Sequence, residues 1–267
     1  MVSFVTTLCI LFSFTVSLIV PLLLGRHFIK KYGVNLFTMM TGVGIFIVFS
    51  LILERILHAY ILQINTHTAS YLNSHPWGYA LYGAFAAGIF EEVGRFIGFL
   101  FIIKDARKWS DGIGYGIGHG GVEAILLGGL NNLNLLIASI MIDLGIYHSI
   151  GSGLTLSEQN LKTALIDSSS YIFLVSGVER VVAFTFQIGL SLVILLAVIN
   201  IGYKRYLLLM LAILLHVIMD IPAALFQKGA CSLWFTEIYA LVLAILSFVF
   251  IIYSKRKNLF KKSEEIS

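Results

Sequence analysis

Seven stretches of about twenty or more mostly apolar residues, near 3–25, 34–57, 78–103, 112–138, 174–200, 205–226 and 232–253, leave this chain little choice of fold class. Each can cross a hydrocarbon layer about 30 Å thick as a helix, the one spanning element that satisfies its backbone N–H and C=O groups within a single segment. The composition agrees. Of 267 residues, 58% are AVILMFWYC and 12% are charged, whereas soluble domains run near ~45–50% apolar and ~25% charged. A water-soluble domain is therefore excluded. The expectation is an all-α, polytopic transmembrane helical bundle of about seven spans, with room for an eighth. It forms one integral membrane domain over 1–254, with a motif-bearing core at about 78–226 and a short charged tail at 255–267.

Charge placement predicts the orientation. Arg26, Lys30, Lys31, Lys104, Arg107, Lys108, Lys204, Arg205, Lys255, Arg256, Lys257, Lys261 and Lys262 fall in alternate connections, and the opposite connections hold Lys162 and Lys228. The positive-inside rule then puts the N-terminus outside and the C-terminus inside. The first stretch reads as a true span, because its basic residues follow the apolar run instead of preceding it. Two cysteines, Cys9 and Cys231, are too few for a disulfide framework and are expected as free thiols, with one bridge left open. The basic residues follow topology and form no separate basic domain, so nucleic acid is not an expected partner. Trp77, Trp109 and Trp234 stand at span ends, as interfacial aromatics do. In the connection 139–173, LTLSEQNLKTALI predicts a short helix capped by Ser157, with Leu161, Ala164 and Leu165 on one face.

Hydropathy does not account for the polar residues inside the spans. A charge at bilayer depth costs ~2.5–3.5 kcal/mol on insertion scales, so such groups face the bundle interior, pair, and mark function by default. Glu91, Glu92 and Arg95 lie in the third stretch, His119 and Glu123 in the fourth, and His216 and Asp220 in the sixth. At ~1.5 Å of rise per residue, Glu91, Glu92, Glu123 and His216 share one depth. Glu91 with Arg95, His119 with Glu123, and His216 with Asp220 are each four apart and so share a helix face. A carboxylate beside an imidazole fixes its tautomer, which suits acid–base work or metal ligation. It also suits a neutralised pair that only fixes packing. Glu54, Arg55, Glu179 and Arg180 fall near the outer boundary and read as structural ion pairs or interfacial groups. The glycines from Gly112 to Gly121 remove bulk around His119, chiefly for close helix packing.

The motifs FEEVGR at 90–95, GYGIGHGGVEA at 114–124, ERVVAF at 179–184 and HVIMD at 216–220 resemble the YhfC family of bacterial membrane proteins, a branch of the clan of CAAX-prenyl proteases and bacteriocin-processing enzymes. The clan's signatures map onto Glu91, Glu92 and Arg95; onto Tyr115 and His119; and onto His216 and Asp220. Two departures stand out. Only Val93 and Gly94 separate the Glu pair from Arg95, where the clan has three residues, and Asp220 stands where the prenyl proteases have Asn.

The resemblance implies a glutamic-type intramembrane protease of the bacterial plasma membrane, acting on a membrane-embedded or lipid-associated peptide. Glu91 with His119 would activate water, and His216 with Asp220 would hold the carbonyl oxygen. Glu92, Arg95, Glu123, Glu179 and Arg180 would have supporting roles. No cofactor is expected in that version. The metal-dependent alternative is a zinc site of His119, His216 and Glu91; with no HExxH in the chain, the metal-free version comes first. The competing classes are a proton- or cation-coupled transporter or immunity-type binding protein that uses the same buried groups, and a scaffold in which they only join helices.

Overall fold

The structure, a computed structural model, describes residues 1–147 and 156–260, and no strand occurs among the described residues. Its helices are α1 (Phe4–Tyr32), α2 (Leu36–Ile64), α3 (Thr66–Ser74), α4 (Pro76–Ile97, continued by a π-helical stretch Gly98–Ile102), α5 (Trp109–Asp143), α6 (Leu156–Asp167), α7 (Tyr171–Ile199), α8 (Tyr203–Gln227) and α9 (Leu233–Arg256). Six of them, α1, α2, α5, α7, α8 and α9, are long and apolar enough to cross a membrane. The remaining expected stretch, the third, is also helical, as α4, and it is the one that carries Glu91, Glu92 and Arg95. In α7, 78% of the most apolar window is buried, against 22–28% in the other five, so α7 is enclosed and the others leave apolar faces for lipid.

In the 139–173 connection, α6 begins at Leu156, so Ser157 stands in its first turn and not at its cap; Leu165 is buried as expected. Lys261, Lys262 and the rest of the tail from 261 on lie outside the described residues. Cys9 and Cys231 are free thiols, half-buried.

The chain divides into two compact units, Met1–Leu23 with Glu123–Val181 and Leu24–Val122 with Val182–Ser267. The first is centred on Val2, Ile10, Ala138, Leu165 and Phe173. Asp143 accepts from the Val2 backbone N–H at 2.7 Å, and the Ser13 hydroxyl donates to the Phe173 carbonyl.

The second unit is held by close helix approaches that depend on glycine. A Cβ on Gly118 would overlap the carbonyl oxygen of Met39, and one on Gly42 would overlap that of Tyr115, so α2 and α5 meet backbone to backbone. One on Gly116 would lie 2.7 Å from the Ile188 Cα, bringing α5 onto α7. Without a hydrophobic drive between helices in lipid, small residues win because they let backbones approach. The glycine run of α5 therefore serves packing, as its sequence suggested.

Two local features secure α8 and α9. Pro222 lacks an N–H, which leaves the carbonyl of Ile218 without its helical partner. The Tyr239 hydroxyl of α9 donates to that carbonyl at 3.1 Å. At the other end of α9, the Trp109 indole donates to Ser254 Oγ at 3.2 Å, while the Lys255 ammonium lies 4.1 Å from the Tyr32 ring centre and 4.7 Å from that of Trp109. Trp77 and Trp234 stand exposed near the starts of α4 and α9, where a membrane interface would place them.

Candidate active site

The second unit gathers polar side chains from four helices. From α4 come Glu91, Glu92 and Arg95; from α5, Tyr115 and His119; from α7, Gln187 and Ser191; from α8, His216 and Asp220. Arg95, Glu92, Tyr115 and His119 have no exposed surface.

Arg95 is the central cation. Its Nη2 donates to Glu91 Oε2 at 3.3 Å, its Nη1 lies 3.6 Å from Glu92 Oε1, and Nη1 also donates to the Gln187 main-chain carbonyl at 3.0 Å. A short hydrogen bond joins Nη2 to Gln187 Oε1. Adjacent carboxylates on a helix point away from each other, yet the long Arg95 side chain one turn on reaches both. Having two residues between the Glu pair and Arg95 thus still closes the ion pairs.

Glu91 Oε2 is the point of convergence. Besides Arg95, it is met by His119 Nε2 at 2.9 Å and by the Gln187 side-chain amide at 3.2 Å, and His216 Nε2 lies 4.0 Å away. His216 Nδ1 is 2.7 Å from Glu92 Oε1. A carboxylate there accepts from Nδ1–H, while Nε2 faces Glu91 at 4.0 Å and Asp220, whose Oδ2 is 3.4 Å away. Asp220 is also the more open member, with 38% of its side chain exposed.

The hydrogen bonds therefore run mainly between helices. His119 pairs with Glu91 of α4, and the orienting carboxylate of His216 is Glu92 of α4, with Asp220 on its other nitrogen. The Phe46 ring stands edge-on to His119 at 5.1 Å between centroids. His119 Nδ1, Glu92 Oε2 and the Tyr115 hydroxyl are buried without a hydrogen-bond partner among the described residues. Such atoms are costly in hydrocarbon, so the cluster has capacity for a further polar species. For a metal, the available donors within this unit are His119, Glu91 and His216 Nε2.

Three sequence candidates fall in the first unit. Arg180 Nη1 lies 3.8 Å from Glu123 Oε1, and Nη2 makes a short hydrogen bond to Glu179. Glu54 is buried and pairs with His58 one turn on, at 3.1 Å, while its neighbour Arg55 is exposed; the other His58 nitrogen meets the Tyr82 hydroxyl at 2.8 Å. Sequence reasoning missed Gln187. Its signal was available: a long amide in the run VVAFTFQIGL, at a depth where polar groups are rare.

These residues can be set beside known proteins. The family model described as YhfC intramembrane metalloprotease matches residues 16–243, which include every motif and every cluster residue named above. This chain belongs to the YhfC family. It is 36% identical over 244 residues to the Bacillus subtilis (strain 168) "Uncharacterized membrane protein YhfC", a match covering 90% of this chain and 93% of that one. No solved structure matches it. As a YhfC protein with six helices apolar enough to span, it is a multi-pass bacterial membrane protein.

Proposed function

We propose that this YhfC protein is an intramembrane endopeptidase whose hydrolytic centre is built on Glu91, His119 and His216, with zinc as cofactor. The observation that carries the reading is one carboxylate oxygen, Glu91 Oε2, lying 2.9 Å from His119 Nε2 and 4.0 Å from His216 Nε2. Two imidazoles from separate helices meet one carboxylate in a buried place. The family description supports proteolysis and also metal dependence. It reverses the order reached from sequence, in which metal-free catalysis came first and no cofactor was expected.

The residues suit the ion. Two imidazoles and a carboxylate form a catalytic zinc donor set that leaves a position for water. Glu92 on His216 Nδ1 is the outer carboxylate that ligating histidines normally have, fixing ring and tautomer. Zinc held there would acidify a water and polarise the scissile carbonyl. The chain's own groups do the rest: Arg95 and Gln187 hold the Glu91 carboxylate, Glu92 keeps the His216 proton on Nδ1, and Asp220, on the open side of His216, is placed to take the proton of the attacking water and pass it to the leaving amine. The substrate class is a membrane-embedded or lipid-associated peptide segment. The split of basic residues supports an N-terminus outside and a C-terminus inside.

A metal-free, glutamic-type version is favoured by one observation. Glu91 Oε2 is already met by three donors and so is anchored without a cation. In that version Glu91 with His119 takes the proton of the attacking water, and His216 with Asp220 holds the carbonyl oxygen, as the clan resemblance implies.

One paired experiment separates the readings. Wild type and Glu91→Gln are purified in detergent, compared for bound metal and melting midpoint, and assayed on membrane-inserted peptides. Cleavage by wild type alone, with stoichiometric zinc, supports the metal-dependent centre; cleavage without metal supports the glutamic one. A collapse of stability in Glu91→Gln, with no cleavage by wild type, overturns both in favour of a structural cluster.

A further inference from the structure

Gln187 lies on α7, the enclosed helix, and is itself buried. An amide in such a place is costly unless both of its ends are bonded. Here both are. Nε2 donates to Glu91 Oε2 at 3.2 Å, Oε1 accepts from Arg95 Nη2, and the residue's main-chain carbonyl accepts from Arg95 Nη1 at 3.0 Å and from Ser191 Oγ at 2.9 Å. Space for the side chain is provided by α5: a Cβ on Gly120, next to His119, would lie 2.8 Å from the Gln187 Cβ.

We infer that Gln187 is a positioning residue for Glu91, one that fixes which carboxylate oxygen is anchored and which is offered to the reaction. With Arg95 and Gln187 both on Oε2, rotation of the carboxylate about its Cγ–Cδ bond would break both hydrogen bonds together. Oε1 is the oxygen not committed to these donors, and so the one left for the reaction. Gln187 also couples Glu91 to Arg95, because the same amide binds both. The inference rests on the hydrolase reading, but the hydrogen bond itself can be measured without it.

The test uses the full-length protein with Gln187→Glu and Gln187→Leu. Glutamate keeps the size and an acceptor for Arg95 but has no N–H to give Glu91; leucine removes both functions. Two readouts are taken at matched melting midpoint. One is the infrared carboxylate band of Glu91, assigned by its loss in Glu91→Gln; the other is the split of kcat against KM on a membrane-inserted peptide that wild type cleaves. Both variants should shift the band and lower kcat about 10–100-fold, the usual scale for outer groups that orient a site, with KM within about twofold. A Gln187→Glu variant that folds with the wild-type band and wild-type kcat overturns the inference. If wild type cleaves nothing, the hydrolase reading fails while the infrared band still decides whether Gln187 holds Glu91. If leucine does not fold, the isosteric Gln187→Glu carries the comparison.

Discussion

His216 Nδ1 on α8 lies 2.7 Å from Glu92 Oε1 on α4, and this carboxylate has no exposed surface. The pair joins two helices and sets the tautomer of an imidazole whose other nitrogen faces Glu91. Replacing Glu92 by Gln keeps the shape and removes the charge that holds the Nδ1 proton. Cleavage, or zinc affinity measured by competition, should fall about 10–100-fold.

Arg95 is buried between two carboxylates and Gln187. Arg95→Met removes the cation and leaves Glu91 and Glu92 unmatched, a change that costs about 3–5 kcal/mol for a buried pair broken on one side. Arg95→Met combined with Glu92→Gln should cost less than the sum of the single variants, because the two share one interaction. Denaturation of the three variants in detergent gives the coupling directly.

The approach of α2 to α5 leaves no space for a methyl group at Gly118 or Gly42, whereas nothing lies within 4 Å of a Cβ placed on Gly44. Gly118→Ala should destabilise by about 1–3 kcal/mol through overpacking. Gly44→Ala, on the facing helix α2, should be neutral or stabilising by up to about 1 kcal/mol. The two melting midpoints should move in opposite directions, or one should fall while the other stays.

Zinc that binds only the folded chain raises its apparent stability by mass action. Chelation should therefore lower the melting midpoint of wild type, and the midpoint should recover on adding zinc back. His119→Ala and His216→Ala should each abolish that response. Glu54→Gln, whose side chain pairs with His58, should keep it.

Much of this architecture was legible in the sequence, because length and hydropathy over-determine spanning helices. The charged groups inside those helices were legible as well: Glu91, Glu92, Arg95, His119, His216 and Asp220 form one cluster in the second unit. The four-residue interval found Glu91 with Arg95 and His216 with Asp220, which are paired at 3.3 and 3.4 Å. What it could not supply were the partners on other helices, Glu91 for His119 and Glu92 for His216, because spacing reports only the face of a single helix. Those partners depend on the axial offset between helices, which is set by contacts such as Gly88 against Val217 and Gly94 against Phe49. Gln187 was passed over for a different reason: hydropathy draws the eye to charge, and an amide carries none.

The sharing of one guanidinium by Glu91 and Glu92 has a consequence for how this chain reaches its native state. Two ionised carboxylates and one Arg95 fall one positive unit short of electroneutrality, and hydrocarbon does not tolerate an uncompensated charge. A proton or a metal cation must make up that unit. Docking of α4 against its neighbours is then expected to be coupled to uptake of that proton or cation, supplied to an imidazole of the cluster or to a bound metal.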